Sequence, residues 1–175
     1  MDDLRYPIGP FQPPVTIDAE MRRDHLERIE SLPLDLRNAL VGLDDAQLDT
    51  PYRDGGWTLR QVVHHVADSH MNAYMRHKLA LTEETPTIRP YDQARWAELP
   101  DARSAPIGMS LAMLDAIHAR WLAMLNALLP EHFERRFHHP EMGKTISIDV
   151  NLALYAWHGA HHVAHITRLR EQKGW

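Results

Sequence analysis

Four histidines crowd one short stretch near the C-terminus, Tyr155-Ala156-Trp157-His158-Gly159-Ala160-His161-His162-Val163-Ala164-His165. Read as a helix, it holds two pairs four residues apart, His158 with His162 and His161 with His165. Residues at that spacing lie about 40° apart around the axis and one turn along it, so their imidazoles can converge on one ion. His161 stands about 100° from His162, so the two cannot face one ion squarely. Spacing does not choose between the pairs. Two imidazoles hold a divalent ion poorly, because a catalytic zinc keeps three protein ligands and an open position. A second dense group, His64-His65 followed by Asp68, offers the third ligand. Val62 and Val66 place His65 beside an apolar stripe that faces a helical core. A His from one helix and a His-x-x-x-His pair from another is how helical bundles assemble metal sites in their interiors. Asp68, three residues from His65, is the candidate catalytic carboxylate, as a proton acceptor or behind a ligand.

The other histidines read as bystanders. His25, His77, His118 and His132 stand alone on their helices and are expected in solvent, and His138-His139 falls in a surface turn before Pro140. Arg53 and Arg76 could each hold an anion, but a surface ion pair is the simpler expectation. Trp157 reads as a core or pocket-wall aromatic.

These groups need elements to position them, and hydrophobic periodicity supplies four long helices. The first starts after Thr16 and carries Met21, Leu26, Ile29, Leu32, Leu36, Leu40 and Leu43, with Pro33 expected to kink or split it. Residues 44–56 read as loop. The second helix opens at Thr58, with Gln61 completing a capping box, and runs to about Leu81. A long connection over 83–107 follows, pinned by Tyr91, Trp96 and Leu99, of the kind that crosses over a bundle. Helix three spans about Met109 to Leu129 and stops at Pro130. After a short extended piece at Lys144–Ile148, helix four runs from about Asp149 to Gln172, with Gly174 beyond its end. Pro7, Pro10, Pro13 and Pro14 make the first fifteen residues an extended arm, expected to pack over the core. The organisation is an arm over 1–15 and one all-α four-helix bundle over 16–175.

Composition agrees and excludes much. The 175 residues are 44% hydrophobic and 25% charged, enough apolar mass for one globular core. A net charge of −5 speaks against nucleic acid as a partner. No apolar run reaches the roughly 18 residues of a membrane span. Met1-Asp2-Asp3-Leu4 lacks the basic start of a secretory signal, so a cytoplasmic location is expected. There is no cysteine, hence no thiolate metal site or cysteine nucleophile. The 13 histidines stand out against 19 lysines and arginines. Neither His-Glu-x-x-His, Gly-x-Ser-x-Gly, a P-loop nor Gly-x-Gly-x-x-Gly occurs.

Several segments together resemble the YfiT-like branch of the DinB superfamily. They are Tyr6-Pro7-Ile8-Gly9, Pro51-Tyr52-Arg53-Asp54-Gly55-Gly56-Trp57-Thr58, His64-His65-Val66-Ala67-Asp68-Ser69-His70-Met71-Asn72, Lys78 to Glu83, His139-Pro140-Glu141 and Tyr155 through Ile166. The resemblance implies an up-down-down-up bundle, and one divalent ion, Zn2+ or Ni2+, on His65, His158 and His162. It also implies a homodimeric, cytoplasmic metal-dependent hydrolase acting on a small molecule. Relatives in the superfamily are thiol S-transferases that use a low-molecular-weight, bacillithiol-like thiol, which is the alternative activity. Either chemistry suits three neutral imidazoles, because an ion held by them lowers the pKa of water and of an external thiol alike. A non-catalytic metal-binding bundle is the third reading, with His64, His161, His165 or Asp68 as a fourth ligand closing the site. Imidazole binds metal only when neutral, so occupancy is expected to fall below about pH 6.5.

Overall fold

The computed structural model describes residues 4–175, which leaves Met1, Asp2 and Asp3 of the arm, and the acidic start read there, outside the described residues. Four long helices dominate: α1 (Ala19–Leu40), α3 (Leu59–Thr82), α6 (Gly108–Leu125) and α7 (Ile148–Lys173). Three short ones lie in the connections: α2 (Asp45–Leu48), α4 (Gln93–Trp96) and α5 (Pro100–Ser104). Among the described residues no helix is long and apolar enough to cross a membrane.

Side-chain contacts fix the direction of each helix. Along α1 and α7, Arg22 meets Asp149, Leu32 faces Gly159, and Arg170 reaches the Ala39 carbonyl, so the two run parallel. His64 with Ser110, His70 with His118 and Trp121 with His77 make α3 and α6 parallel as well. Ser69 with Tyr155 and His77 with Asn151 run α3 against α7. The bundle is therefore up-down-down-up. Parallel α3 and α6 require the chain to travel back the full length of α3, about 36 Å at 1.5 Å per residue, and the 83–107 connection does so.

Local signals explain most ends. Thr58 and Gln61 form the capping box of α3. Ser147 caps α7, and Gly174 closes it at φ 69°, in the left-handed region. α1 is one continuous helix through Pro33, so the helix is not split there. Proline removes one N–H, the donor that would serve Ile29, and the Ile29 carbonyl bonds to His118 instead. α6 ends a turn earlier than its apolar period suggests, because Leu129 precedes Pro130 and is extended. Asp44 and Gln47 form a second capping box that starts α2 inside the expected loop. The crossover is likewise not structureless, since Asp92 caps α4 and Tyr91 packs on Trp96 at 4.4 Å. Strands β1 (Arg136–His139) and β2 (Lys144–Ser147) pair antiparallel, with Phe137 opposite Ile146. The hairpin holds the crossover through Ile88 N–H to His138 O and His138 N–H to Pro86 O.

Two apolar clusters fill the bundle. One contains Leu36, Leu59, Val62, Val66, Leu114 and Ile166, and the other Ile29, Ala73, Trp121, Leu125, Leu152 and Tyr155. On α3, α6 and α7 the switch from one cluster to the other falls around His70, His118 and His158–His162. A layer of histidines thus crosses the core at mid-height.

Candidate metal centre

His65 on α3 and His158 and His162 on α7 each offer a ring nitrogen, and these three atoms lie within 4.8 Å of one another. His65 Nε2 and His158 Nε2 are 3.2 Å apart. Two nitrogens at 2.0–2.1 Å from a tetrahedral ion stand about 3.4 Å apart, so the spacing fits a shared cation. Burial lowers all three imidazoles, His65 to about 4 and the other two well below their usual value. They are neutral at pH 7, as metal ligation requires.

Hydrogen bonds assign the tautomers, since a backbone carbonyl can only accept. His118 Nδ1–H donates to the Ile29 carbonyl at 2.7 Å, leaving its Nε2 to accept from His70 Nδ1–H at 3.0 Å. His70 Nε2 then accepts from His158 Nδ1–H at 3.2 Å, and His158 keeps its lone pair on Nε2. A shorter relay serves His162. His165 Nε2–H donates to the Arg5 carbonyl at 3.4 Å, and His165 Nδ1 accepts from His162 Nδ1–H at 3.3 Å. Each relay starts on the main chain and delivers a ligand with its Nε2 free. Groups behind metal ligands commonly fix ring orientation in this way. His161, His162 and His165 also converge within 4.8 Å, and there the Nδ1 atoms of His162 and His165 are joined by a hydrogen bond.

His64 is not part of this group. Its Nε2–H donates to the Ala105 carbonyl and its Nδ1 accepts from Ser110, which spends both nitrogens. Asp68 stands apart as well. It is half-buried on α3, its carboxyl is pushed up to about 6 by burial and by Asp101, and it lines neither cavity beside the histidines. His77 and His118, expected in solvent, are buried, His77 between Trp121 Nε1–H and Asn151 Oδ1. His70 and His118 are functional candidates that spacing did not single out. Their signal was nevertheless present, because His118 continues the stripe Leu111, Leu114, Trp121, and His70 lies between Val66 and Ala73. His132 accepts from Leu129 N–H, and His25 and His139 each enclose an unpartnered Nδ1.

A cavity of about 400 Å3 opens onto the site, walled by Tyr6, Tyr52, Arg53, Trp57, Trp157 and the histidines. Trp57 packs on His65 at 4.6 Å, Tyr52 on His165 at 4.0 Å, and Trp157 stacks on His161 at 4.4 Å. The 51–58 loop that brings Tyr52 and Trp57 is tight at Gly56, where a Cβ would meet Arg53 Cγ at 2.8 Å. Arg53 bonds to Tyr52 Oη and the Asp54 carbonyl, with no ion pair among the described residues. The arm forms the remaining wall. Trp157 Nε1–H donates to the Gly9 carbonyl, and Phe11 lies 5.9 Å from the Trp157 ring.

The sequence profile of the DinB superfamily matches residues 28–166. The chain belongs to that superfamily. This DinB-superfamily chain is 55% identical over its whole length, and theirs, to proteins of Bacillus mycoides and Bacillus cereus named "Putative metal-dependent hydrolase". It also matches a solved structure, "YfiT from Bacillus subtilis", described as "a probable metal-dependent hydrolase with an unusual four-helix bundle topology". The match has a TM-score of 0.96 and 50% identity, over 98% of each chain.

Proposed function

We propose that this protein is a divalent-metal-dependent hydrolase of a small molecule, with the ion on His65, His158 and His162. The observation that carries this reading is three neutral imidazoles, two buried and His158 half-buried, converging within 4.8 Å beside an open cavity. Zn2+ and Ni2+ both suit an all-imidazole set. The ion supplies Lewis acidity for attack on a carbonyl-like carbon. The chain supplies the rest. The two relays hold His158 and His162 in one tautomer, and Trp57 and Tyr52 pack the surrounding rings in place. His161 lines the cavity and stacks on Trp157, with its Nδ1 buried behind the wall. We place the protein in the cytoplasm as a homodimer, by likeness to the family.

The test is metal content by plasma mass spectrometry on tag-free protein, beside His65→Ala and His158→Ala. About one ion per chain, lost in both variants, is the expected result. Ester and amide hydrolysis, followed with and without an added low-molecular-weight thiol and electrophile, then separates hydrolysis from thiol transfer. Wild-type protein that takes up neither zinc nor nickel after add-back overturns the reading.

A further inference from the structure

Buried arginines in this fold have partners. Arg60, 5% exposed, bonds to Asp49 at 2.6 Å, Asp45 at 2.7 Å and the Ala105 carbonyl at 3.2 Å. Arg22 is clamped by both oxygens of Asp149. Arg76 on α3 is different. It is 8% exposed, it makes no hydrogen bond or ion pair with any described residue, and its Nε is enclosed without a partner. The surface ion pair expected for Arg76 is therefore absent, and the residue is not on the surface.

The side chain lines a cavity of about 580 Å3 together with Ser69, Tyr91, His139 and Tyr155. That cavity shares His158 and Gln93 with the one above the histidine cluster, so the two meet at a candidate metal ligand. Tyr91, pushed up to about 12 by burial, keeps its proton and remains a donor at any working pH. Two acids reach the same space. Asp92 is committed to capping α4 through Arg95 N–H at 3.0 Å, and Glu141 sits exposed on the hairpin turn at the rim.

A cation taken out of water with nothing opposite it destabilises a fold. A planar guanidinium is also the side chain best shaped to receive a carboxylate or phosphate on two parallel N–H groups. We propose that Arg76 is an anion-binding residue for substrate, holding a carboxylate or phosphate group whose attached reacting end lies against His65, His158 and His162. The substrate class is thus a small anionic compound long enough to span both cavities. The placement of the reacting end rests on the metal-centre reading above, whereas the anion site itself does not.

The test is thermal unfolding of the protein as purified, titrated with acetate or with inorganic phosphate against chloride at equal ionic strength. Wild type, Arg76→Met, Arg76→Lys and Glu141→Gln are compared. We expect one of the two anions to raise the wild-type midpoint, and the larger response distinguishes carboxylate from phosphate. Its affinity falls about 30-fold or more in Arg76→Met, as when a buried charge loses its partner. Arg76→Lys, which keeps the charge but not the fork, falls between the two, and Glu141→Gln keeps the response. Without ligand, Arg76→Met is at least as stable as wild type. No anion response in wild type, or an equal affinity in Arg76→Met or Arg76→Lys, overturns the proposal. Equal destabilisation by Arg76→Met and Glu141→Gln overturns it too, because the two would then form an ion pair. Zinc content of each variant is measured alongside, so that a failed metal centre is distinguished from a failed anion site.

Discussion

Ile29 and His118 are joined by a 2.7 Å hydrogen bond to a carbonyl that lacks its helical donor, because proline at position 33 has no N–H to offer it. A helix defect in α1 thus becomes the anchor of a chain through His118 and His70 to His158. His118→Phe keeps a ring but ends the relay. We expect zinc affinity, measured by chelator competition, to drop by about 10- to 100-fold while helix content is retained. His118→Gln, whose amide keeps both a donor and an acceptor group, should recover part of the loss. Unchanged affinity in a folded His118→Phe would show that the relay does not set the ligand.

The arm is predicted to support the metal centre rather than merely cover it. His162 is oriented through His165, and His165 by the Arg5 carbonyl. Removing residues 1–10 leaves His165 without that acceptor, so His162 is no longer held to one tautomer. Zinc should bind about tenfold more weakly at the low end of such effects, while far-UV circular dichroism keeps its helical form. A second ion per chain in the truncated protein would mean that His161, His162 and His165 bind metal once released.

The adjacent histidines of α3 should separate cleanly. His65→Ala removes a ligand and with it the ion. His64→Ala removes bonds to Ser110 and Ala105, leaving buried polar groups unmatched at a cost of about 1–3 kcal/mol. His64→Ala should lower the melting temperature yet carry the same metal as wild type. Metal lost from His64→Ala at a temperature where it is folded would contradict the assignment.

Acid should destabilise the metal-free chain early. His77 is lowered to about 3 and His65, His161 and His165 to about 4, in each case chiefly by burial, whereas the unfolded chain titrates near 6.5. Between those limits the unfolded state binds more protons, so stability falls as pH falls. The melting temperature should be level above about pH 7 and decline progressively from about 6.5 to 4. A level profile down to pH 4.5 would show that these imidazoles are not buried neutral.

Much of this molecule was legible in one dimension. The four amphipathic periods, the capping box at Thr58 and Gly174 are local features, and local physics reads them directly, although the equally local box at Asp44 was read as loop. The i, i+4 pair His158/His162 was equally visible, as was the need for a third ligand from another helix. What the chain order could not supply was the partner of each ring. The stripe at Val62 and Val66 turned His65 inward, but that His64 is buried as well, with both nitrogens engaged, is decided by Ser110 and Ala105, more than forty positions away. Nor could it show that a lone histidine at 118 is buried, for its acceptor is a carbonyl 89 residues distant, freed by a proline that read only as a helix breaker. Arg76 was assigned a surface partner because arginine ordinarily has one, and only packing reveals that it has none. Sequence determined the four long helices and the residue types available for chemistry. Tertiary structure decided which nitrogens keep their lone pairs, because a proton's position follows from its partner, and here the partners lie on other helices.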